Sequence, residues 1–195
     1  MKILKIKVSG FKRLADDFTV DFLCKARVNE MDKDDEIIAL AESLYMPTST
    51  VFTGKNASGK STVLSLLKWV HELLDKGRIK YEPMHFNQSS IQLDIYFYHQ
   101  EKVYRYQGTV NQPPLKVMEG DFYCEFSSER LGFKKYYKSN GKKILDMKFT
   151  PNPKFTSSVP DTSILYQVTQ GTHYAIQAEA WENPLKLYRI FARFD

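Results

Sequence analysis

Cysteine is nearly absent from this sequence: Cys24 and Cys124 are its two thiols in 195 residues. Two such distant residues make no disulfide framework, so free thiols in a reducing cytoplasm are expected. Long apolar runs are absent too. None reaches the roughly 18 residues that a membrane-spanning helix needs, and the opening "MKILKIKVSG" is too polar and too regularly alternating for the core of a signal peptide. The four histidines (His71, His85, His99 and His173) are scattered without ligand spacing, which argues against a structural metal. No internal repeat and no low-complexity segment occurs.

What is present is an ordinary globular composition, with 43% apolar and 26% charged residues. A chain of this length suits one domain or one lobe of a larger one, and it can bury a core without staples. The net charge of +5 favours acidic partners such as nucleotides or nucleic acid. The charge is uneven. "NEMDKDDE", from Asn29 to Glu36, sets five acids against Lys33, whereas Arg130 to Lys154 holds eight basic residues against Asp146 alone.

The apolar periodicity gives the elements. "KILKIKV" places Leu4, Ile6 and Val8 on one face, and "FTVDF" repeats the period with Phe18, Val20 and Phe22, so an antiparallel pair is expected. Asn29 to Leu44 carries Ile37, Ile38, Leu40, Ala41 and Leu44 at helical spacing before Pro47, which predicts a helix, with a long loop or a strand as the competitor. "TSTVFTG" predicts a buried strand feeding a turn. A helix should then run from about Gly59 to Leu74, with Val63, Leu66, Leu67, Val70 and Leu74 on one face and Gly77 as its stop. From Ile91 the period is two: "IQLDIYFY", "KVYRYQGTV", "LKVMEGDFYCEF", "GFKKYYK" and "KKILDMKF" predict a meander, with Asn140-Gly141 as a hairpin turn. Tyr96, Tyr98, Tyr104 and Tyr106 should form cross-strand aromatic pairs. "TPNPKFTSSVP" is a loop, and the tail returns to helical spacing, ending on the stripe Leu187, Ile190, Phe191 and Phe194.

The strongest motif is "TGKNASGKST". Gly54, Gly59, Lys60 and Ser61 satisfy G-x-x-x-x-G-K-[ST], a loop that curls its backbone N–H groups around phosphate oxygens. Glycine permits the backbone angles and the close approach. The helix that follows aims its positive end at the same point. Lys60 would reach the β- and γ-phosphates, and Ser61 would offer a hydroxyl to Mg²⁺. The candidate nucleotide-binding residues are Gly54, Lys55, Asn56, Ala57, Ser58, Gly59, Lys60, Ser61 and Thr62.

"GKNASGKST", with Asn56 inside the loop, resembles the phosphate loop of ABC-type ATPase heads. The resemblance is to the structural-maintenance-of-chromosomes and DNA-repair branch, and to the AAA-type ATPases akin to overcoming-lysogenization-defect proteins. "GFKRLADDFTVDF" after the first strand is similar to the opening of those heads. "LDIYFYHQEKVYRYQGTV" and "ERLGFKKYYK" resemble the β-subdomain of the AAA-type group, and "SILYQVTQG" the segment with its Q-loop glutamine. The resemblance implies ATP and Mg²⁺ as ligands, with Lys12 or Arg13 near the nucleotide. It also implies Gln170 near Mg²⁺ and the attacking water, with Gln167 as the competing choice. The preference for adenine comes from the resemblance, since no guanine-reading "NKxD" pattern occurs.

Hydrolysis needs further parts. A Walker-B strand ends four apolar residues in Asp-Glu, but "IQLD" at Asp94 and "KKILD" at Asp146 both lack the form, and no "LSGGQ"-like signature occurs. The expectation is an α/β P-loop lobe with N-terminal antiparallel strands, a strand–loop–helix unit, an antiparallel meander and a helical tail. Its parts would be residues 1–80, 90–150 and 160–195. The remaining hydrolytic machinery would lie in a second lobe or a C-terminal remainder, with a homodimer of full heads as the working form. The chain alone would then bind ATP and scarcely hydrolyse it. A non-hydrolysing nucleotide-sensing module is the competing function; a small P-loop kinase fits poorly, because the strand meander replaces its βα units. Nucleic acid is a candidate partner through the Arg130–Lys154 strip, where Phe133, Tyr136, Tyr137 and Phe149 interleave with lysines; strand faces with aromatics turned inward are the alternative.

Overall fold

The computed structural model describes residues 2–25, 28, 36–56, 58–99, 101–114, 122–151 and 159–165. Strand β1 (Lys2–Ser9) buries Leu4, Ile6 and Val8 as the alternation requires. It pairs antiparallel with β2 (Phe18–Asp21) on one side. On its other side lies β5 (Ser90–His99), which follows far later in the chain. Next come β6 (Lys102–Asn111) and β7 (Glu125–Lys135), giving one antiparallel sheet in the order β2-β1-β5-β6-β7. The N-terminal pair and the meander therefore share one sheet, and β1 is a central strand of it.

Two readings of strand and helix are corrected. Ile37 to Leu44 is not helical: β3 (Ile37–Ala41) and β4 (Leu44–Pro47) form a two-stranded antiparallel hairpin. Ser43 turns the chain with a φ of 69°. Leu44 and Met46, two apart, enter the core, a spacing that suits a strand and that the i, i+3, i+4 pattern concealed. "KKILD" is not a strand but a 3₁₀ helix, Gly141–Asp146, which buries the adjacent Ile144 and Leu145 together. Neighbouring strand residues point to opposite faces, so a one-sided strand could not do this. Asn140-Gly141 accordingly leads into that helix instead of joining two strands: the amides of Asn140 and Gly141 donate to the carbonyls of Tyr137 and Lys138.

A third correction concerns "TSTVFTG". Thr48 to Gly54 forms no ladder, and Val51 is 74% exposed. The β-branched residues favour an extended chain, but a strand needs a neighbour to take its N–H and C=O groups, and no described strand lies beside this one. Of the expected strand–loop–helix unit, the helix is formed. Helix α1 (Lys60–Lys76) buries Val63, Leu66, Trp69, Val70, Leu73 and Leu74, with Leu67 at the margin. Its buried face and that of the sheet belong to one core. Phe11, just after β1, packs on Trp69 at 5.4 Å and stacks on His85 at 5.3 Å.

Three of the four tyrosines pair with aromatics, only Tyr104 with its cross-strand register partner; Tyr106 faces Ile95 and donates its hydroxyl to Glu129. Phe97 stands opposite Tyr104, and their rings stack at 5.0 Å. Tyr98 meets Tyr136 and Tyr96 meets Phe149, both edge to face. Part of "LKVMEGDFYCEF" and everything after Leu165 lie outside the described residues. Gln167, Gln170 and the stripe from Leu187 to Phe194 are among them. No described helix is long and apolar enough to cross a membrane.

Candidate functional site

The loop from Gly54 to Gly59 folds back toward α1. Ser58 N–H donates to the Lys55 carbonyl at 3.1 Å. A β-carbon on Gly54 would fall 2.5 Å from Ser58 Oγ and 3.2 Å from its Cβ, so the Ser58 side chain would have to move to admit one. Gly59 has φ 92° and ψ 6°, a left-handed backbone that turns the chain directly into the helix. Ala57 lies outside the described residues.

The start of α1 is left open. Its first internal bond runs from Val63 N–H to the Gly59 carbonyl at 3.0 Å. The amides before Val63 have no acceptor inside the helix, no side chain caps them, and the first turn contains no acid. Such a terminus offers donors and partial positive charge to an anion. The Lys60 ammonium bends over the loop, donating to the Gly54 and Lys55 carbonyls at 2.8 Å each, with Ser58 Oγ at 3.5 Å.

A groove of about 760 Å³ lies against this terminus, lined by Asn56, Ser58, Gly59, Lys60, Ser61 and Thr62 on one side. Arg13, Leu14 and Ala15, from the connection between β1 and β2, and Phe18, which opens β2, line the other. Of the two basic residues expected there, Arg13 takes part in this groove. Lys12 does not: it lines a separate cavity beside Trp69 and His85, its φ is 48°, and its N–H donates to the His85 carbonyl at 2.8 Å. The apolar members Leu14, Ala15 and Phe18 escaped sequence reasoning. Their signal was their place directly after the basic pair, where they supply a wall for a flat or apolar group.

Among the described residues, the groove lining contains no Asp or Glu. Asp94, which ends "IQLD", is held elsewhere by Arg105, whose Nε and Nη2 donate to it at 2.9 and 2.6 Å. Burial pushes Cys124 up to about 12 and also raises Cys24, so both stay protonated at neutral pH.

The basic strip does not present a single face. Tyr136 and Phe149 are buried, while Phe133 and Tyr137 are exposed. Lys102 lies over Phe133 at 5.1 Å, and Lys135 over Tyr137 at 5.8 Å. Lys138 pairs with Glu42 and Lys135 with Glu101. The aromatics and several lysines here thus have partners within the chain; Lys154 lies outside the described residues.

At its far end α1 is closed. Gly77, left-handed at φ 64°, donates its N–H to the Leu73 carbonyl at 2.9 Å and accepts from Ser163 N–H at 2.8 Å. Arg78 Nε donates to Thr162 Oγ1 at 3.0 Å. Beside it the Glu129 carboxylate accepts from Tyr106 Oη and Ser163 Oγ, each at 2.6 Å, and from Ile164 N–H at 3.1 Å.

The family model described as the AAA ATPase domain matches residues 1–186. No curated protein matches the chain. An open, uncapped helix start behind a G-x-x-x-x-G-K-S loop agrees with what such a domain needs for a nucleotide's phosphates. On a match across nearly its whole length, the chain belongs to the AAA ATPase domain family, the AAA-type P-loop ATPases.

Proposed function

We propose that the groove between the phosphate loop and the β1–β2 connection binds ATP with Mg²⁺, as the N-terminal lobe of an ABC-like ATPase head. The observation that carries this is the uncapped start of α1, with Lys60, Ser61, Thr62 and Arg13 gathered around it. The donor set fits the ligand. Backbone amides from Asn56 to Ser61 would hold the phosphates, Lys60 would exchange its loop carbonyls for phosphate oxygens, and Arg13 would add a second cation. Ser61 would hold Mg²⁺, which neutralises charge on the phosphates when bound. Gln170 is the second metal-side candidate. Leu14, Ala15 and Phe18 offer the base an apolar surface.

Binding and hydrolysis separate in this reading. Water must be activated by an acceptor, and among the described residues of the groove lining there is no carboxylate. In this reading the Walker-B acid and the signature motif come from outside these residues, in a second lobe or a partner head. The same observation favours a second reading, in which the domain senses nucleotide without cleaving it and regulates a partner. The two unpaired cysteines fit a cytoplasmic setting.

Titration with a fluorescent ATP analogue and Mg²⁺, alongside phosphate release, tests both parts. The chain should bind the analogue, Lys60→Ala should lose it, and both should release phosphate at the same negligible rate. Turnover clearly above that of Lys60→Ala would refute the division of labour. Equal binding by both chains would refute the site.

A further inference from the structure

A second cavity, about 480 Å³, opens along α1 one turn beyond the phosphate loop: Ser61 lines the nucleotide groove and Ser65 this one. The turn after β1 divides its basic residues in the same way, Arg13 to the groove and Lys12 to the cavity. Four lysines face two glutamates in its lining. Glu72 is paired with Lys76 at 3.3 Å; Glu82 lies 3.5 Å from His85 Nε2, whose charged form burial disfavours, so it keeps its own charge at the edge of the cavity. Lys12 and Lys68 have no carboxylate partner among the described residues. Both act on one point, since each helps hold the His85 imidazole below its ordinary value, behind the larger effect of burial and against Glu82 and Glu72.

The floor beneath these ammonium groups is buried and aromatic, and among the described residues Trp69 Nε1 and His85 Nδ1 have no hydrogen-bond partner there. Trp69 is 3% exposed and His85 8%, and Phe11 packs against both rings. The Lys12 backbone is fixed by its bond to the His85 carbonyl. Unpaired cations above a low-dielectric surface attract an anion more strongly than the same cations in open water. Lysine, a point charge without fixed direction, suits phosphate oxygens.

We propose that this cavity is a second anion site, separate from the phosphate loop, that takes a compact phosphate-bearing small molecule between Lys12 and Lys68. A compact ligand fits better than a polynucleotide. The half-exposed Glu82 and the nearby Glu72 would repel a continuous backbone passing over the lining, whereas a small anion sits between the two lysines.

Trp69 gives a direct readout once Trp181, the other tryptophan, is replaced. Inorganic pyrophosphate titrated into the Trp181→Phe chain should change Trp69 emission saturably. The change should persist when Lys60→Ala disables the phosphate loop. Lys12→Ser with Lys68→Ser should weaken affinity by about tenfold or more, the scale of one or two charged hydrogen bonds. Lys12→Arg with Lys68→Arg should retain it, which separates lost charge from lost folding. No saturable change, equal affinity in the double serine chain, or loss with Lys60→Ala alone would each overturn the proposal. So would salt-sensitive binding of a single-stranded oligonucleotide with no response to pyrophosphate, which would make the lysines a backbone-binding surface.

Discussion

Helix α1 begins and ends on a glycine with left-handed backbone, and the fold treats the two ends in opposite ways. At Gly59 the helix opens with no cap, no acid in the first turn and a groove in front of its amides. At Gly77 the helix is closed by Ser163 and flanked by Arg78 bound to Thr162. The part-buried Glu129 carboxylate then fastens the chain that does the closing. Both ends have unpaired backbone groups by geometry. The difference teaches that a helix terminus becomes a binding site when the surrounding chain withholds its own polar groups from it. The closed end holds the helix in place, so that the open end can stay uncapped.

The largest expected effect lies at the closed end. Glu129→Ala removes the acceptor shared by the fully buried Tyr106 and Ser163 hydroxyls, leaving them only a long 3.4 Å contact with each other, and should lower unfolding free energy by about 3 kcal/mol. Urea denaturation measures it; a loss within error would mean that this end is not held by the carboxylate. The pH dependence sharpens the point. Burial raises the Glu129 carboxyl above its ordinary 4.5, against bonds from Ser163, Tyr106 and Ile164 that lower it. A carboxyl with a raised folded-state pKa keeps its proton longer in the folded chain, so its contribution to stability falls as pH rises through that window. Relative to the wild type, Glu129→Gln should therefore gain stability as pH climbs from 4.5 toward neutrality. A pH-independent difference would contradict this.

The next effect lies at the open end. Lys60→Ala should weaken ATP binding by about a hundredfold, the worth of one charged hydrogen-bond set, with little change in melting temperature. A matched pair of substitutions then tests the comparison itself. Gly59→Ala and Gly77→Ala should each cost about 1–2 kcal/mol, because both force a side chain into left-handed backbone. Gly59→Ala should also impair ATP binding, and Gly77→Ala should not. Equal loss of binding in both would erase the distinction between the ends. The smallest effect belongs to Lys76→Ala, which removes a largely exposed pair with Glu72 and should shift stability by no more than about 0.5 kcal/mol.

Sequence and structure agree where the pattern was both local and long. Leu4, Ile6 and Val8 alternate without interruption, and β1 buries them all. The apolar stripe of α1 runs from Val63 to Leu74, about three turns, and Gly77 stops the helix as expected. They part where short runs read alike in two periods. Ile37 to Leu44 fits a helix by spacing, yet packing Leu44 and Met46 inward makes it a hairpin. "KKILD" alternates too briefly to resist a 3₁₀ turn that buries Ile144 and Leu145 side by side.

By itself the sequence carried the G-x-x-x-x-G-K-[ST] pattern and the alternation of β1, β2, β5 and β6, whereas β7 runs as one strand, Glu125–Lys135, through what the alternation divided between "LKVMEGDFYCEF" and "GFKKYYK". Only the tertiary structure decided that Arg13 faces the loop while its neighbour Lys12 turns to another cavity. It alone made β1 the neighbour of β5 and left Val51 unladdered. The reason is physical. Periodicity and backbone preference act within a few residues, whereas a side chain's partner, and a strand's, depend on which distant segment the core brings alongside.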